Sequence, residues 1–287
     1  MVILETKHLT HTYSVGTPFA RDAINDVSIS VHQGEILGII GHTGSGKSTL
    51  IQHLNGLFRP TLGQVLLKGK DIWADPKAIR NIRFQVGMVF QYPEYQLFEE
   101  TVSKDISFGP RNMGLPEDEI EERIHTAARF AGLKEELLDK SPFDLSGGEK
   151  RRAAIAGVIA MDPEVLILDE PAAGLDPKGR DDLLEQIGLY HEERKNTVLM
   201  VSHSMEDTAR ISDRVLVMNQ GRAAMLAPTA EVFGRGAELQ QMGLQVPQVT
   251  RVFMELRRMG YPIRDDIYTL EQAQAEFLRV LKGGAAK

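Results

Sequence analysis

The chain has no cysteine and one tryptophan among its 287 residues. Without cysteine there is no disulfide framework and no thiolate-ligated zinc, a composition that fits a reducing cytosol. Long hydrophobic runs are missing too: nothing approaches the ~18–20 apolar residues that span a bilayer. The opening Met1-Val2-Ile3-Leu4-Glu5-Thr6-Lys7 has no secretory core. Positive charge is not in excess. A net charge of −7 argues against a nucleic-acid duplex as main partner, because non-specific phosphate binding needs a basic face. The length suits one large core plus an appendage, not two nucleotide-binding domains. The expectation is a soluble chain whose membrane role, if any, comes through a partner.

What is present begins with Gly41-His42-Thr43-Gly44-Ser45-Gly46-Lys47-Ser48, a complete G-x-x-x-x-G-K-[ST] phosphate loop, followed by Thr49. Its flanks fit. Glu35–Ile40 is an apolar run between Gly34 and Gly41 and reads as a buried parallel strand. Leu50, Ile51, Leu54 and Leu57 then recur at helical spacing, with Gly56 too early to break the pattern. In strand–loop–helix geometry, backbone N–H groups wrap the α- and β-phosphates. Lys47 reaches the β- and γ-phosphates and the Ser48 hydroxyl ligates Mg²⁺.

Val165-Leu166-Ile167-Leu168 is a second apolar run, closed by Asp169-Glu170-Pro171. Acids at a buried strand end suit a magnesium-organising Asp169 and a Glu170 that polarises the attacking water. Pro171 stops the strand. Between the two motifs lies Leu145-Ser146-Gly147-Gly148-Glu149. By itself Ser146-x-x-Glu149 is a capping box. Beside the phosphate loop, its paired glycines at a helix start read as a second anion-binding element.

In this order and spacing, the three motifs resemble an ABC-type ATPase domain over about residues 3–225. The resemblance implies an α/β fold: a RecA-like core with an antiparallel β subdomain and a helical subdomain. It also implies a head-to-tail dimer holding two ATP molecules, each between one subunit's phosphate loop and the other's Ser146–Gly148. Gln91 matches the glutamine that senses Mg²⁺ and water and links to the transport partner, and His203 the switch histidine that contacts the γ-phosphate. Asp176 matches the loop that crosses between subunits, and is equally an N-cap before Pro177. Tyr13 lies where the family stacks an aromatic on adenine, with an ordinary strand aromatic as the other reading. Two departures are Glu149, where many members carry Gln, and Ala173-Gly174-Leu175, where many read Ser-Ala-Leu.

Residues 1–75 read as short strands with glycine turns such as Leu62-Gly63 and Lys68-Gly69-Lys70, within an ATPase domain spanning 1–227. A helical subdomain covers about 92–152, with Ile120, Ile124 and Ala128 on one face. A helical appendage at 228–287 carries apolar stripes at Val249, Val252, Phe253, Leu256, Met259 and at Leu270, Ala273, Phe277, Leu278, Leu281. The second stripe follows a capping box, Thr269-x-x-Gln272. The appendage docks on its own core or dimerises against a partner's equivalent.

Gln91–Val102 mixes aromatics with three acids, as a groove for a partner's helix bearing apolar and basic side chains would. Tyr-Pro-Glu-x-Gln-Leu-Phe-x-x-Thr-Val, then Phe108-Gly109-Pro110-Arg111-Asn112, resembles the ATPase subunits of energy-coupling-factor importers of vitamins and of cobalt or nickel. Tyr13, Gly16-Thr17-Pro18-Phe19 and Ala23 resemble the second of the two paralogues. That resemblance implies a heterodimer with a sister ATPase rather than a homodimer. It further implies a transmembrane coupling protein, exchangeable membrane substrate-binding proteins, no nucleic acid, and a peripheral place on the cytoplasmic face of the membrane. The alternatives are the ATPase of another ABC importer, or a soluble ABC ATPase acting on nucleic acid or ribosomes. A small-molecule kinase would not need the Ser146–Gly148 segment.

Overall fold

Chain order runs β1 (Val2–Tyr13), β2 (Arg21–His32), β3 (Ile36–Ile40), α1 (Lys47–Leu54), β4 (Leu62–Leu67), β5 (Lys70–Asp71), α2 (Ile79–Gln85) and β6 (Val86–Val89). Then come α3 (Val102–Met113), α4 (Glu117–Ala131), α5 (Gly147–Ile159), β7 (Val165–Asp169), α6 (Pro177–Arg194), β8 (Thr197–Val201) and α7 (Met205–Ile211). The chain closes with β9 (Arg214–Asn219), β10 (Arg222–Pro228), α8 (Thr229–Gly234), α9 (Gly236–Gln241), α10 (Gln248–Arg258) and α11 (Leu270–Gly284). This computed structural model describes residues 1–264 and 266–284, so the end of the appendage, 285–287, lies outside the described residues.

The continuous apolar runs become central strands because both of their faces are covered. β3, β7 and β8 are buried at every position. They lie in a six-stranded sheet ordered β10-β9-β3-β8-β7-β6, parallel except for the edge strand β10. One face packs on helices α3 to α6, and the other on α1 and a four-stranded antiparallel sheet ordered β2-β1-β4-β5. The α/β class with its antiparallel sheet and helical segment is therefore the observed fold.

Three details differ from the expectation. β1 and β2 are 12 residues each rather than short strands, because each pairs along its length with the other. Gly63 is not a turn residue; it sits inside β4 with φ +81, and a Cβ there would meet the His8 carbonyl oxygen at 2.3 Å. It marks the irregularity between Lys7 and Thr10 in the β1–β4 ladder. Gly56 does end the α1 pattern. The helix stops at Leu54, Gly56 turns left-handed at φ +71, and Leu57 is left exposed. Its helical spacing was one turn too optimistic.

Ile120, Ile124 and Ala128 are buried on α4 as expected, and the helical packing continues through α5 to Ile159. Beyond Pro228, α8 and α9 bury Val232, Phe233 and Leu239 against β9 and β10. α10 and α11 form a small separate core of Phe253, Ile267 and Ala273, leaving Val252, Phe277, Leu278 and Leu281 exposed. The Thr269–Gln272 capping box is formed, with reciprocal bonds of 3.2 and 3.3 Å. Among the described residues no helix is long and apolar enough to cross a membrane.

Candidate active site

Ligands of open parallel sheets gather at the carboxyl ends of the strands. Here β3 ends in the phosphate loop, β6 leads to Gln91, β7 ends at Asp169-Glu170 and β8 is followed by His203. Neighbouring strand positions set these ends in a row around a cavity of about 460 Å³, within the roughly 300–1,000 Å³ usual for small-molecule sites. Its wall includes Thr43, Gly44, Gly46, Lys47, Ser48 and Thr49 from the loop and α1. Gln91, Asp169, Glu170, His203 and, from the end of β1, Tyr13 complete the sequence-predicted part of the wall.

The loop's conformation explains its glycines. Gly41 has φ +156, and a Cβ there would lie 2.4 Å from the Met218 carbonyl oxygen. Gly46 has φ +100, with the Ala23 carbonyl oxygen 2.7 Å from its would-be Cβ. Lys47 is buried, and its Nζ donates to the Gly41 and His42 carbonyls at 2.7 and 3.1 Å. Burial lowers its pKa, against the opposing pull of Glu170 and Asp169. Ser45 Oγ is buried without a partner. Gly41, His42 and Ser45 do not line the cavity; the His42 ring lies 2.8 Å from the Thr43 carbonyl and 3.2 Å from Asn219 Oδ1.

Burial likewise raises the Asp169 carboxyl, opposed by a hydrogen bond with the Ser48 side chain. Glu170 adopts left-handed φ +52, a conformation costing about 1–3 kcal/mol for a non-glycine residue. Its N–H donates to the Val201 carbonyl of β8 at 3.0 Å, which holds the turn. Glu170 Oε2 accepts from the His203 N–H at 3.3 Å. Its Oε1 is buried without a hydrogen bond, and His203 Nε2 lies 3.4 Å away, outside hydrogen-bond alignment. Burial pushes the Glu170 carboxyl up to about 7, a value suited to a base working near neutrality.

The site fits a triphosphate with a hard cation. Loop amides, the start of α1 and Lys47 supply the positive end, and Ser48 and Asp169 supply hard oxygens. Among the described residues no three acidic or histidine side chains gather as a metal cage. A cation here would share its coordination with water and phosphate, as Mg²⁺ prefers.

Ser146, Gly147, Gly148 and Asp176 are not brought to this cavity. Ser146 caps α5 in a full capping box. Its hydroxyl donates to Glu149 Oε2 at 2.6 Å, and the Glu149 carboxylate also accepts from the Ser146 N–H at 2.9 Å. Asp176 caps α6 by accepting from the Gly179 N–H at 2.7 Å. Both are exposed.

Sequence reasoning missed two features. Arg21 and Asp22 line the cavity because the β1–β2 register sets Arg21 opposite Tyr13; only that hairpin pairing could have found them. Arg151 is buried and forms a two-pronged ion pair with Glu94 at 2.9 and 3.1 Å. It also donates to the Pro171 and Ala173 carbonyls, so one guanidinium joins the Gln91 segment, α5 and the loop after Glu170. The acids of that segment are thus not all offered to a partner. Glu94 faces inward to Arg151, and Glu100 pairs with Lys104. Leu97 and Phe98 of that segment line a cavity of about 520 Å³ together with Phe84, Phe108 and Met161, and Tyr95 is exposed.

Residues 24–173 match the family model described as ABC transporter. The chain is 51% identical over 280 residues to the energy-coupling factor transporter ATP-binding protein EcfA2 of Caldanaerobacter subterraneus subsp. tengcongensis, covering 98% of each. It is 54% identical over 281 residues to the protein of that name from Clostridium perfringens, covering 97% of this chain and 98% of the relative. Among solved structures it is similar to cbiO1 from Clostridium perfringens, part of the ABC transporter complex cbiONQ. The TM-score is 0.75 with 38% identity, over 88% of this chain and 99% of that one. A dimeric ATP-binding cassette in a post-hydrolysis state, bound to ADP and Pi, aligns with TM-score 0.72 and 26% identity, over 79% and 99%.

Proposed function

The chain belongs to the energy-coupling factor transporter ATP-binding proteins of the ABC transporter family, and from that premise we propose how its residues divide the work of ATP hydrolysis. The phosphate loop and Lys47 hold the β- and γ-phosphates, Tyr13 carries the adenine, and Ser48 with Asp169 holds Mg²⁺. The cation supplies neutralisation of charge on the transferring phosphoryl group. Gln91 orients the attacking water from β6. Glu170 accepts that water's proton at its free Oε1 as the oxygen bonds to phosphorus and the bond to the ADP oxygen breaks. His203, fixed by its N–H on Glu170, meets the γ-phosphate. The observation that carries this reading is the buried, unpartnered Oε1 of Glu170, held by a left-handed backbone at the mouth of the phosphate loop.

Ser146 to Gly148 and Asp176 serve the ATP of a second subunit. The sister is a paralogue, and the residues beyond Pro228 help the pair associate. The apolar groove lined by Leu97, Phe98 and Phe108 receives a helix of a transmembrane coupling protein at the cytoplasmic face, and substrate-binding membrane proteins supply vitamins or transition-metal ions. Purification from detergent-solubilised membranes, with ATPase and uptake assays, tests the whole reading. Recovery of only cytosolic nucleic-acid partners would overturn the transport role. Full ATPase turnover in a Glu170→Gln complex would overturn the base assignment.

A further inference from the structure

Tyr13 does not stand alone at the base end of the cavity. Its ring lies 4.6 Å from His11 at an interplanar angle of 84°, and His11 stacks flat on Phe58 at 5.3 Å and 3°. Behind them His53 is fully buried on α1, with its ring 4.7 Å from His11. His53 Nδ1 lies 2.7 Å from the Thr49 carbonyl, which can only accept, so Nδ1 carries the proton. Burial pushes the His53 pKa down to about 4, so the ring is neutral and its Nε2 is an acceptor. His11 Nδ1, 3.2 Å away, is then the donor. The chain of contacts closes through Tyr13 Oη, 3.3 Å from Thr49 Oγ1.

This arrangement connects the two ends of the nucleotide cavity. Thr49 lies on α1 directly after Lys47 and Ser48, so one helix anchors both the phosphate-binding side chains and the ring proposed to carry the base. The left-handed Gly56 matters here as well. By ending α1 it folds the chain back, the Phe58 N–H reaches the Gln52 carbonyl, and the Phe58 ring comes under His11. Tyr13 closes β1 and is 41% exposed, and the ring beside it within its own strand is that of His11, two residues earlier.

We propose that His11, backed by Phe58 and His53, is a positioning residue for the base of the bound nucleotide: it fixes the Tyr13 ring relative to α1, so that base and triphosphate bind in register. The inference rests on the reading of Tyr13 as the base-stacking residue, and the test separates the two. It is calorimetric titration of the full chain with Mg-ATP and with Mg-tripolyphosphate, which has the phosphates and no base. A purely structural defect would weaken both ligands.

Tyr13→Ala should weaken ATP about 5- to 100-fold, the range expected for loss of a stacked base, and leave tripolyphosphate unchanged. Without that discrimination the stacking reading itself fails. His11→Ala should weaken ATP about 3- to 10-fold with tripolyphosphate unchanged, and His11→Phe, which keeps a ring on Phe58, should recover at least half of the lost affinity. Equal weakening of both ligands, or no change in either while Tyr13→Ala discriminates, would overturn the positioning role. If His11→Ala does not fold, Phe58→Leu takes its place under the same two outcomes.

Discussion

The two glycine-rich segments of this chain differ in what demands their glycines. In the phosphate loop the demand is internal: Gly41 and Gly46 have positive φ, and backbone carbonyls stand where their Cβ atoms would be. At the start of α5, Gly147 and Gly148 have no positive φ. A Cβ on Gly147 would meet nothing within 4 Å, and one on Gly148 only Leu175 at 4.0 Å. Alanine there would even favour the helix by about 1 kcal/mol. The chain's own fold explains the first pair and not the second. Glycine where neither backbone nor packing asks for it leaves room for a close approach from outside, such as the proposed second subunit's nucleotide would make.

The polar groups show the same contrast. Lys47 and Asp169 are buried on the cavity wall, and Ser45 is buried within the phosphate loop. Ser146 and Glu149 satisfy each other at the surface and leave the first amides of α5 facing solvent. The nucleotide cavity is built and strained in advance, whereas the start of α5 is a capped helix to which only the proposal above gives a ligand.

The comparison can be broken in four ways. Largest in effect, Glu170→Gln should cost the assembled complex at least ~10²-fold in ATPase turnover. Thermal unfolding of that variant above pH 7 should show a stability gain on the order of 1 kcal/mol, because its raised pKa makes the ionised form the costly one in the folded state. Next, Gly41→Ala should lose about 1–3 kcal/mol in denaturant unfolding from overpacking against the Met218 carbonyl. Gly148→Ala should leave stability within about 0.5 kcal/mol or raise it, yet cut ATPase of the complex about tenfold or more; unimpaired turnover there would break the contrast.

Third, the wild-type kcat/KM should fall about tenfold per pH unit below about 7, where Glu170 takes up its proton and ceases to be a base. A rate flat from pH 5.5 to 8 would remove Glu170 from the role. Smallest, Leu278→Ser on α11 should weaken subunit association several-fold in sedimentation. The residue is 49% exposed, so monomer stability should stay within about 0.5 kcal/mol. Truncation at Pro228 is the poorer test, since it strips Phe233 and Leu239 from the core they share with β9 and β10.

The strands that matter were legible because a parallel strand covered on both faces is an uninterrupted apolar run, as at Ile36–Ile40 and Val165–Leu168. The phosphate loop was legible because one contiguous stretch performs its whole task. Gly63 misled because a strand irregularity and a turn call for the same residue, and only the paired strand distinguishes them. Glu94 misled because its partner, Arg151, is 57 residues away. Gly56 was under-read because helical spacing continued past it to Leu57.

By itself, the sequence determined the nucleotide chemistry and the α/β class, since local spacing dictates loop geometry and strand burial. Tertiary structure alone decided the left-handed, half-orphaned Glu170, the Arg151–Glu94 junction and the His11–Phe58–His53 support of Tyr13. Those features depend on groups far apart in the chain meeting in a low-dielectric interior, and no local pattern encodes which distant partner arrives.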